Sequence, residues 1–323
     1  MHKELLKEKL KGPIFSIITP FKKNENIDYQ ALSKYIKYLY IRGARCFYVM
    51  VYNSRLSLLD EQEIIKLNLF VIKCVKKINK ENVVICAEPY HTSTKKSLQL
   101  INLFYKNGAD IVSLIFGEKF YSENQIFSHF KKIDKLSKCK LLLHQQPFEN
   151  GISSNPPTIN YSVKLLKRIA KLDKFIAMKE DAKNEKLTID ICKSTKKDLI
   201  IITSGGGKRQ WLKAAKFGCQ SWLSGISNLD PKIALDFYDF YKKKEKKEIL
   251  KIIKKLEDPF FKIKNKYGWH LTIKAMLESK NIFNKFERAP LVHVESKAFK
   301  DIKKVFMKMK KNSITLFKSK YIV

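Results

Sequence analysis

Phe175-Ile176-Ala177-Met178-Lys179-Glu180-Asp181-Ala182 is the stretch on which the fold turns. Four apolar residues lead into a lysine, and two carboxylates follow. A short uninterrupted apolar run reads as a strand buried on both faces, the kind found in parallel sheets covered by helices. A lysine at the end of such a strand leaves an apolar layer and enters whatever lies beyond it. Burying an ammonium is costly unless it is paired or neutralised. Burial also lowers the pKa of the amine, which turns it into a nucleophile for carbonyl carbon. The competing reading is an ordinary surface lysine, which this chain has in abundance. The sequence on either side separates the two.

Working outward, short apolar runs alternate with longer amphipathic stretches. The runs are Ile14–Ile18, Cys46–Val51, Val83–Ala87, Ile111–Phe116, Leu141–His144, Phe175–Lys179, Leu199–Thr203 and Ser221–Leu223. Between them lie helical patterns. Tyr29–Arg42 carries Leu32, Ile36 and Leu39 at helical spacing, and Glu61–Lys77 carries Ile64, Leu67, Val71 and Val75. Ser97–Asn107 follows Thr94, a capping residue type, and Lys208–Phe217 follows a glycine run. Eight strands, each followed by a helix, predict a (β/α)8 TIM barrel over 1–228. A doubly wound sheet is the alternative, but no nucleotide-binding fingerprint accompanies the repeats. After the eighth strand the pattern turns helical. Pro231–Lys244, Glu245–Phe261 and Leu271–Glu278 predict three helices, and Lys297–Lys311 a fourth, with Phe299, Ile302, Val305 and Phe306 on one face. These make a C-terminal helical extension over 229–311, followed by a basic tail over 312–323.

Composition narrows the function classes. The 323 residues carry a formal net charge of +34, from 65 basic and 31 acidic side chains. Only six of the 65 are arginine (42, 45, 55, 168, 209 and 288), and the lysines are spread along the whole chain. Nucleic-acid readers favour arginine forks clustered on one face. The excess of Lys, Ile and Asn instead follows A/T-rich codon use, so no nucleic-acid partner is expected, although the field favours anionic substrates. The six cysteines (46, 74, 86, 139, 192 and 219) form no C-x-x-C pair and no zinc-spaced cluster. Met1-His2-Lys3-Glu4 lacks an apolar signal core, and no segment has the length of a membrane span. A reduced, cytoplasmic setting without a membrane partner is the expectation.

Active sites of such barrels gather at the C-terminal ends of the strands. The residues found there are Thr19-Pro20-Phe21, Tyr52-Asn53-Ser54-Arg55, Glu88-Pro89-Tyr90-His91, His144-Gln145-Gln146-Pro147, Lys179, Ser204-Gly205-Gly206-Gly207 and Ser224-Gly225-Ile226-Ser227-Asn228. In this order the chain resembles the dihydrodipicolinate synthase / N-acetylneuraminate lyase family of Schiff-base barrels, from about Pro13 to Leu291. Thr19-Pro20-Phe21 matches an opening T-P-F, with Asp28 at the acidic helix start. Lys179 falls on the Schiff-base lysine. Gly218 to Asn228 matches a glycine-containing strand element, and Lys274-Ala275 and Arg288-Ala289-Pro290-Leu291 match the closing elements. No one of these is specific; their order and spacing together are.

The departures are as informative. The family's second strand ends in G-T-T-G-E or G-S-T-G-E, which holds the carboxylate of pyruvate; Val51-Tyr52-Asn53-Ser54-Arg55 stands there instead. Both glycines are gone, while Asn53, Ser54 and Arg55 remain as donors, Arg55 with a two-pronged one. The family's catalytic tyrosine, in Y-N-x-P, is replaced by His144 in His144-Gln145-Gln146-Pro147, and a histidine can relay protons at neutral pH. Phe148-Glu149-Asn150-Gly151 offers an acid where the synthase carries an arginine, and Tyr121 is displaced from the position of a second-subunit tyrosine. Ser204-Gly205-Gly206-Gly207-Lys208-Arg209 exposes amides beside two cations, a pattern suited to phosphate.

The resemblance therefore implies a class I lyase or aldolase acting on pyruvate or another 2-oxo acid and an aldehyde, without metal or organic cofactor. Lys179, His144 and Thr19 are its catalytic candidates. Asn53, Ser54, Arg55, Gly205, Gly206 and Ser224 are its substrate-binding candidates. An acidic or phosphorylated sugar-like substrate fits better than that of the authentic synthase. A homodimer or homotetramer is implied by the family. The same departures also fit a ligand-binding or regulatory barrel without catalysis.

Overall fold

The computed structural model describes residues 3–89, 92–116, 121–149, 158–223 and 225–312. Eight parallel strands close on themselves: β1 (Gly12–Ser16), β2 (Cys46–Tyr48), β3 (Val83–Ala87), β4 (Ile111–Leu114), β5 (Lys140–Gln145), β6 (Phe175–Glu180), β7 (Ile200–Thr203) and β8 (Ser221–Leu223). Each pairs with its sequence neighbours, and β1 pairs with both β2 and β8, which seals the ring. All eight follow apolar runs because a barrel strand is buried on one side by the interior and on the other by helices. Strands β1 and β2 end before their runs do: Ile17 and Ile18 continue past β1, and Val49 to Val51 past β2, as buried loop rather than strand. The runs report burial, and burial extends beyond the hydrogen-bonded ladder.

Helices α1 (Lys3–Lys9), α2 (Tyr29–Ile41), α3 (Glu61–Ile78), α4 (Thr94–Lys106), α5 (Glu123–Leu136), α6 (Val163–Ala170), α7 (Glu185–Thr195) and α8 (Gly207–Ala215) precede and separate the strands. The cap of α4 is Ser93, whose hydroxyl accepts from the Lys96 amide, and not Thr94. Thr94 already lies inside the helix, because the capping geometry needs an extended residue before the first turn.

Beyond β8 come α9 (Lys232–Lys242), α10 (Lys246–Ile252), a π-helical turn (Ile253–Glu257), α11 (Asp258–Tyr267), α12 (Trp269–Ser279) and α13 (Ser296–Lys311). The three helices expected from Pro231 to Glu278 form as three rods, the second of which runs through a π turn to Tyr267 instead of ending at Phe261. Gly268, at a φ of +86°, separates α11 from α12. The π turn keeps α10 and α11 in one continuous rod and rotates α11 relative to α10. In α13 the core face is Ile302, Phe306 and Met309, with Phe299 and Val305 at its partly covered edge.

The extension is tied to the ring by buried polar links. Arg42 donates two hydrogen bonds to the Asp230 carboxylate, at 3.0 and 2.8 Å. Tyr38 Oη donates to the Leu229 carbonyl at 2.8 Å. Trp211 of α8 and Trp222 of β8 pack at a tilt with centroids 4.5 Å apart, and both meet Phe237 of α9. These contacts hold α9 and the segment leading into it against α2, α8 and the wall of the barrel. Among the described residues no helix is long and apolar enough to cross a membrane. All six cysteines are free, and five are buried.

Candidate active site

Strand geometry sorts the charged end of β6. Successive strand side chains point to opposite faces. Lys179 therefore turns inward while Glu180 turns out toward α7, where it accepts from Thr188 Oγ1 at 2.9 Å and from the Ala182 amide at 2.8 Å. The two carboxylates that follow the lysine are thus separated, and only Asp181 returns to the lysine's side. Lys179 is register partner of His144 on β5. Its Nζ lies 2.8 Å from His144 Nε2 and 2.9 Å from Asp181 Oδ2. Asp181 Oδ1 accepts from Lys183. Lys179 and His144 are completely inaccessible to solvent.

Burial sets the electrostatics. It pulls the Lys179 amine below its ordinary value, and Asp181 opposes the shift. Burial, and then the charge on Lys179, hold the His144 ring down at about 4, so it is neutral at pH 7. Burial pushes the Asp181 carboxyl up, but Lys179, His144 and Lys183 outweigh it and keep it ionised. The neutral imidazole, within hydrogen-bond distance of the Lys179 amine, can accept a hydrogen bond from it. His144 Nδ1 is buried with no hydrogen-bond partner among the described residues, and the Tyr52 ring stands edge-on to the imidazole at 5.9 Å.

A cavity of about 660 Å³ opens over Lys179, at the strand ends. Its lower wall includes Tyr52, Asn53, Asp181 and Lys183, and its upper wall Phe260, Phe261, Lys264, Trp269 and His270 from α11 and α12. Two glycines admit these neighbours. A Cβ on Gly205, at a φ of +90°, would sit 2.7 Å from Lys183 Nζ, and one on Gly225 would overlap the Trp269 indole. The ammonium and the indole both need a neighbour without a side chain.

The other sequence candidates divide. Asn53 lines the cavity and donates to Ser16 Oγ at 2.6 Å. Gly205 lines it too, whereas Gly206 faces Gln210. Thr19 Oγ1 donates to the Ser54 carbonyl at 2.7 Å, and Ser54 Oγ donates to the Ile17 carbonyl at 2.8 Å. Both hydroxyls are fully buried, bind the first two strand-end loops together, and are not cavity-lining. Arg55 sits 3.9 Å from Glu287 of the closing segment and also lies outside the lining. Ser224, the tail from 313 onward, and the candidate positions within 90–91, 117–120 and 150–157 lie outside the described residues.

The cations expected to serve a phosphate are already engaged. Glu257, from the π turn, accepts from the Lys208 amide at 3.1 and 2.9 Å and from its ammonium at 3.3 Å. Arg209 pairs with Asp258 at 2.7 Å. A resident carboxylate thus occupies the start of α8, where an anion would otherwise bind.

Among the residues that border this site and that sequence reasoning did not single out are Asp181, Lys183, Lys264 and Trp269. One left a signal. Asp181 follows Lys179 at a spacing of two, the period that keeps side chains on one face of an extended chain, whereas Lys183 comes after the strand at a left-handed φ of +56°. Nothing local marks Lys264 or Trp269, because only the packing of the extension turns them toward Lys179.

With the fold and the site's geometry in place, comparison with known proteins supplies the family. The pattern describing the dihydrodipicolinate synthetase family matches residues 9–309. The chain belongs to that family. It is 27% identical over 289 residues to a 4-hydroxy-tetrahydrodipicolinate synthase of Karelsulcia muelleri, covering 88% of this chain and 92% of the relative. It is 21% identical to the enzyme of the same name from Archaeoglobus fulgidus, covering 91% and 96%. Among solved structures, dihydrodipicolinate synthase from Oceanobacillus iheyensis superposes with a TM-score of 0.81 at 14% identity, covering 96% of this chain and all of that one. N-acetylneuraminate lyase from Fusobacterium nucleatum does so with a TM-score of 0.81 at 17% identity, covering 93% and 99%. These superpositions establish the (β/α)8 fold. The family's members include both a synthase and a lyase.

Proposed function

We propose that this chain is a class I lyase or aldolase in which Lys179 forms a Schiff base with pyruvate or another 2-oxo acid. The observation that carries the reading is the contact of Lys179 Nζ with both His144 Nε2 and Asp181 Oδ2 beneath the cavity. The neutral amine adds to the keto carbon, and loss of water leaves an iminium. The iminium draws electrons, so the neighbouring methyl releases a proton and becomes an enamine. The enamine carbon attacks an aldehyde, or the reverse sequence cleaves such a product, and water then frees the lysine. His144 is the proposed proton relay. Asp181 stays ionised and stabilises the iminium. Asn53 and Gly205 are the proposed substrate contacts. Thr19 and Ser54 are assigned to holding the loop that carries Asn53.

The proposal extends to specificity. His144 replaces the tyrosine of the family pattern, and we place the aldehyde outside that of the synthases among its relatives, with an acidic group of its own. The non-catalytic alternative is less well supported, since a binding barrel has no need of an amine eased toward neutrality beside a neutral imidazole. A homodimer or homotetramer is the proposed assembly, to be checked by light scattering.

The deciding experiment is borohydride reduction in the presence of pyruvate and a panel of other 2-oxo acids, followed by peptide mass mapping. A stable adduct on Lys179, absent from Lys179→Met, supports the reading. Labelling that is missing, or spread equally over surface lysines, removes it.

A further inference from the structure

The charges around the cavity do not balance. Three lysines line it, Lys179, Lys183 and Lys264, against one carboxylate among the described residues, Asp181. Asp181 already accepts from both Lys179 and Lys183. Lys264 is left over. It stands on α11, four residues after Phe260 and three after Phe261, so all three share the helix face turned to the cavity. Its ammonium lies over the Phe261 ring, 4.5 Å from the centroid.

The abundance of lysine does not account for this. Lys264 is half-buried, and lysines more enclosed than it have carboxylates: Lys208 has Glu257, Lys274 has Glu287 at 3.1 Å, and Lys280 has Asp230 at 3.8 Å. No carboxylate among the described residues comes within ion-pair distance of Lys264. Burial, and then the charge on Lys183, pull its amine below the ordinary value. Two ammoniums in one partly enclosed space repel, and a bound anion relieves both.

We infer that Lys264, with Lys183 beside it, forms the subsite for an anionic group, a carboxylate or a phosphate, on the second substrate, at the end remote from its carbonyl. This rests on the reading of Lys179 as the amine that holds the first substrate. The carbon chain between the two ends would run along Phe260, Phe261 and Trp269, whose apolar surfaces suit it. The extension, and not the barrel loops, thereby selects the aldehyde.

The test is equilibrium binding followed by calorimetry, which needs no turnover. Succinate and glycerol 3-phosphate serve as unreactive anionic probes, with 1,4-butanediol as the neutral control. Wild-type protein is expected to bind at least one anion and to discriminate against the diol. K264Q is expected to bind that anion roughly tenfold to a hundredfold more weakly, and K264R to recover most of the loss. A preference for succinate assigns a carboxylate, and a preference for glycerol 3-phosphate a phosphate. Equal binding to K264Q and wild type overturns the inference, as do an equal response to the diol and an absence of anion binding by wild type. Pyruvate trapping on Lys179, measured in parallel, reports on the Schiff-base reading alone, so its failure is distinguishable from a failure of the anion subsite.

Discussion

Replacing His144 with glutamine isolates the cost of keeping an imidazole neutral inside the barrel. The ring is fully buried, and its pKa falls from 6.5 to about 4 on folding. The unfolded chain therefore binds more protons than the folded one across that window. Stability from this group is complete above pH 6.5 and is lost as the pH falls toward 4. A displacement from 6.5 to about 4 amounts to about 3 kcal/mol between pH 7 and pH 4. Glutamine preserves an acceptor for Lys179 and does not titrate. Urea unfolding of both proteins at several pH values, followed by circular dichroism, gives the comparison. Wild type should lose about 3 kcal/mol more than H144Q over that range. Other groups titrate as well, so the difference between the two curves is the quantity that counts. Parallel curves would show that His144 carries its proton in the fold, and the assignment of a neutral base would fall with them.

Two other substitutions probe the same pocket. Asp181→Asn removes the charge that opposes the fall in the Lys179 pKa, so the acid limb of the pyruvate trapping rate should move to lower pH; a limb that stays in place or moves up contradicts the pairing. Gly205→Ala forces a side chain into a φ of +90° and against Lys183. It should destabilise the protein by about 1–3 kcal/mol in urea unfolding, whereas an unchanged midpoint would mean that the loop adopts another conformation.

The barrel was legible because its physical requirement is local. Each strand must be apolar on both faces, and each helix must carry one apolar stripe, so eight alternations such as Val83–Ala87 followed by α4 announce themselves along the chain. Lys179 and His144 were legible for a related reason: each ends an apolar run and so stands where the barrel opens. Between Pro231 and Glu278 the second helix runs past the expected end at Phe261 to Gly268, a boundary set by backbone geometry that residue periodicity does not encode.

The sequence by itself determined the ring of strands, the lysine at the end of the sixth and the histidine at the end of the fifth, because short-range periodicity dictates which residues leave an apolar layer. Only the tertiary structure decided what those residues meet. Glu257 reaches Lys208 across 49 positions, Arg55 turns to Glu287, and α11 brings Lys264 over the cavity. Such pairings depend on how distant helices pack. Packing is decided by the whole three-dimensional arrangement of surfaces, and no segment carries a record of its partner.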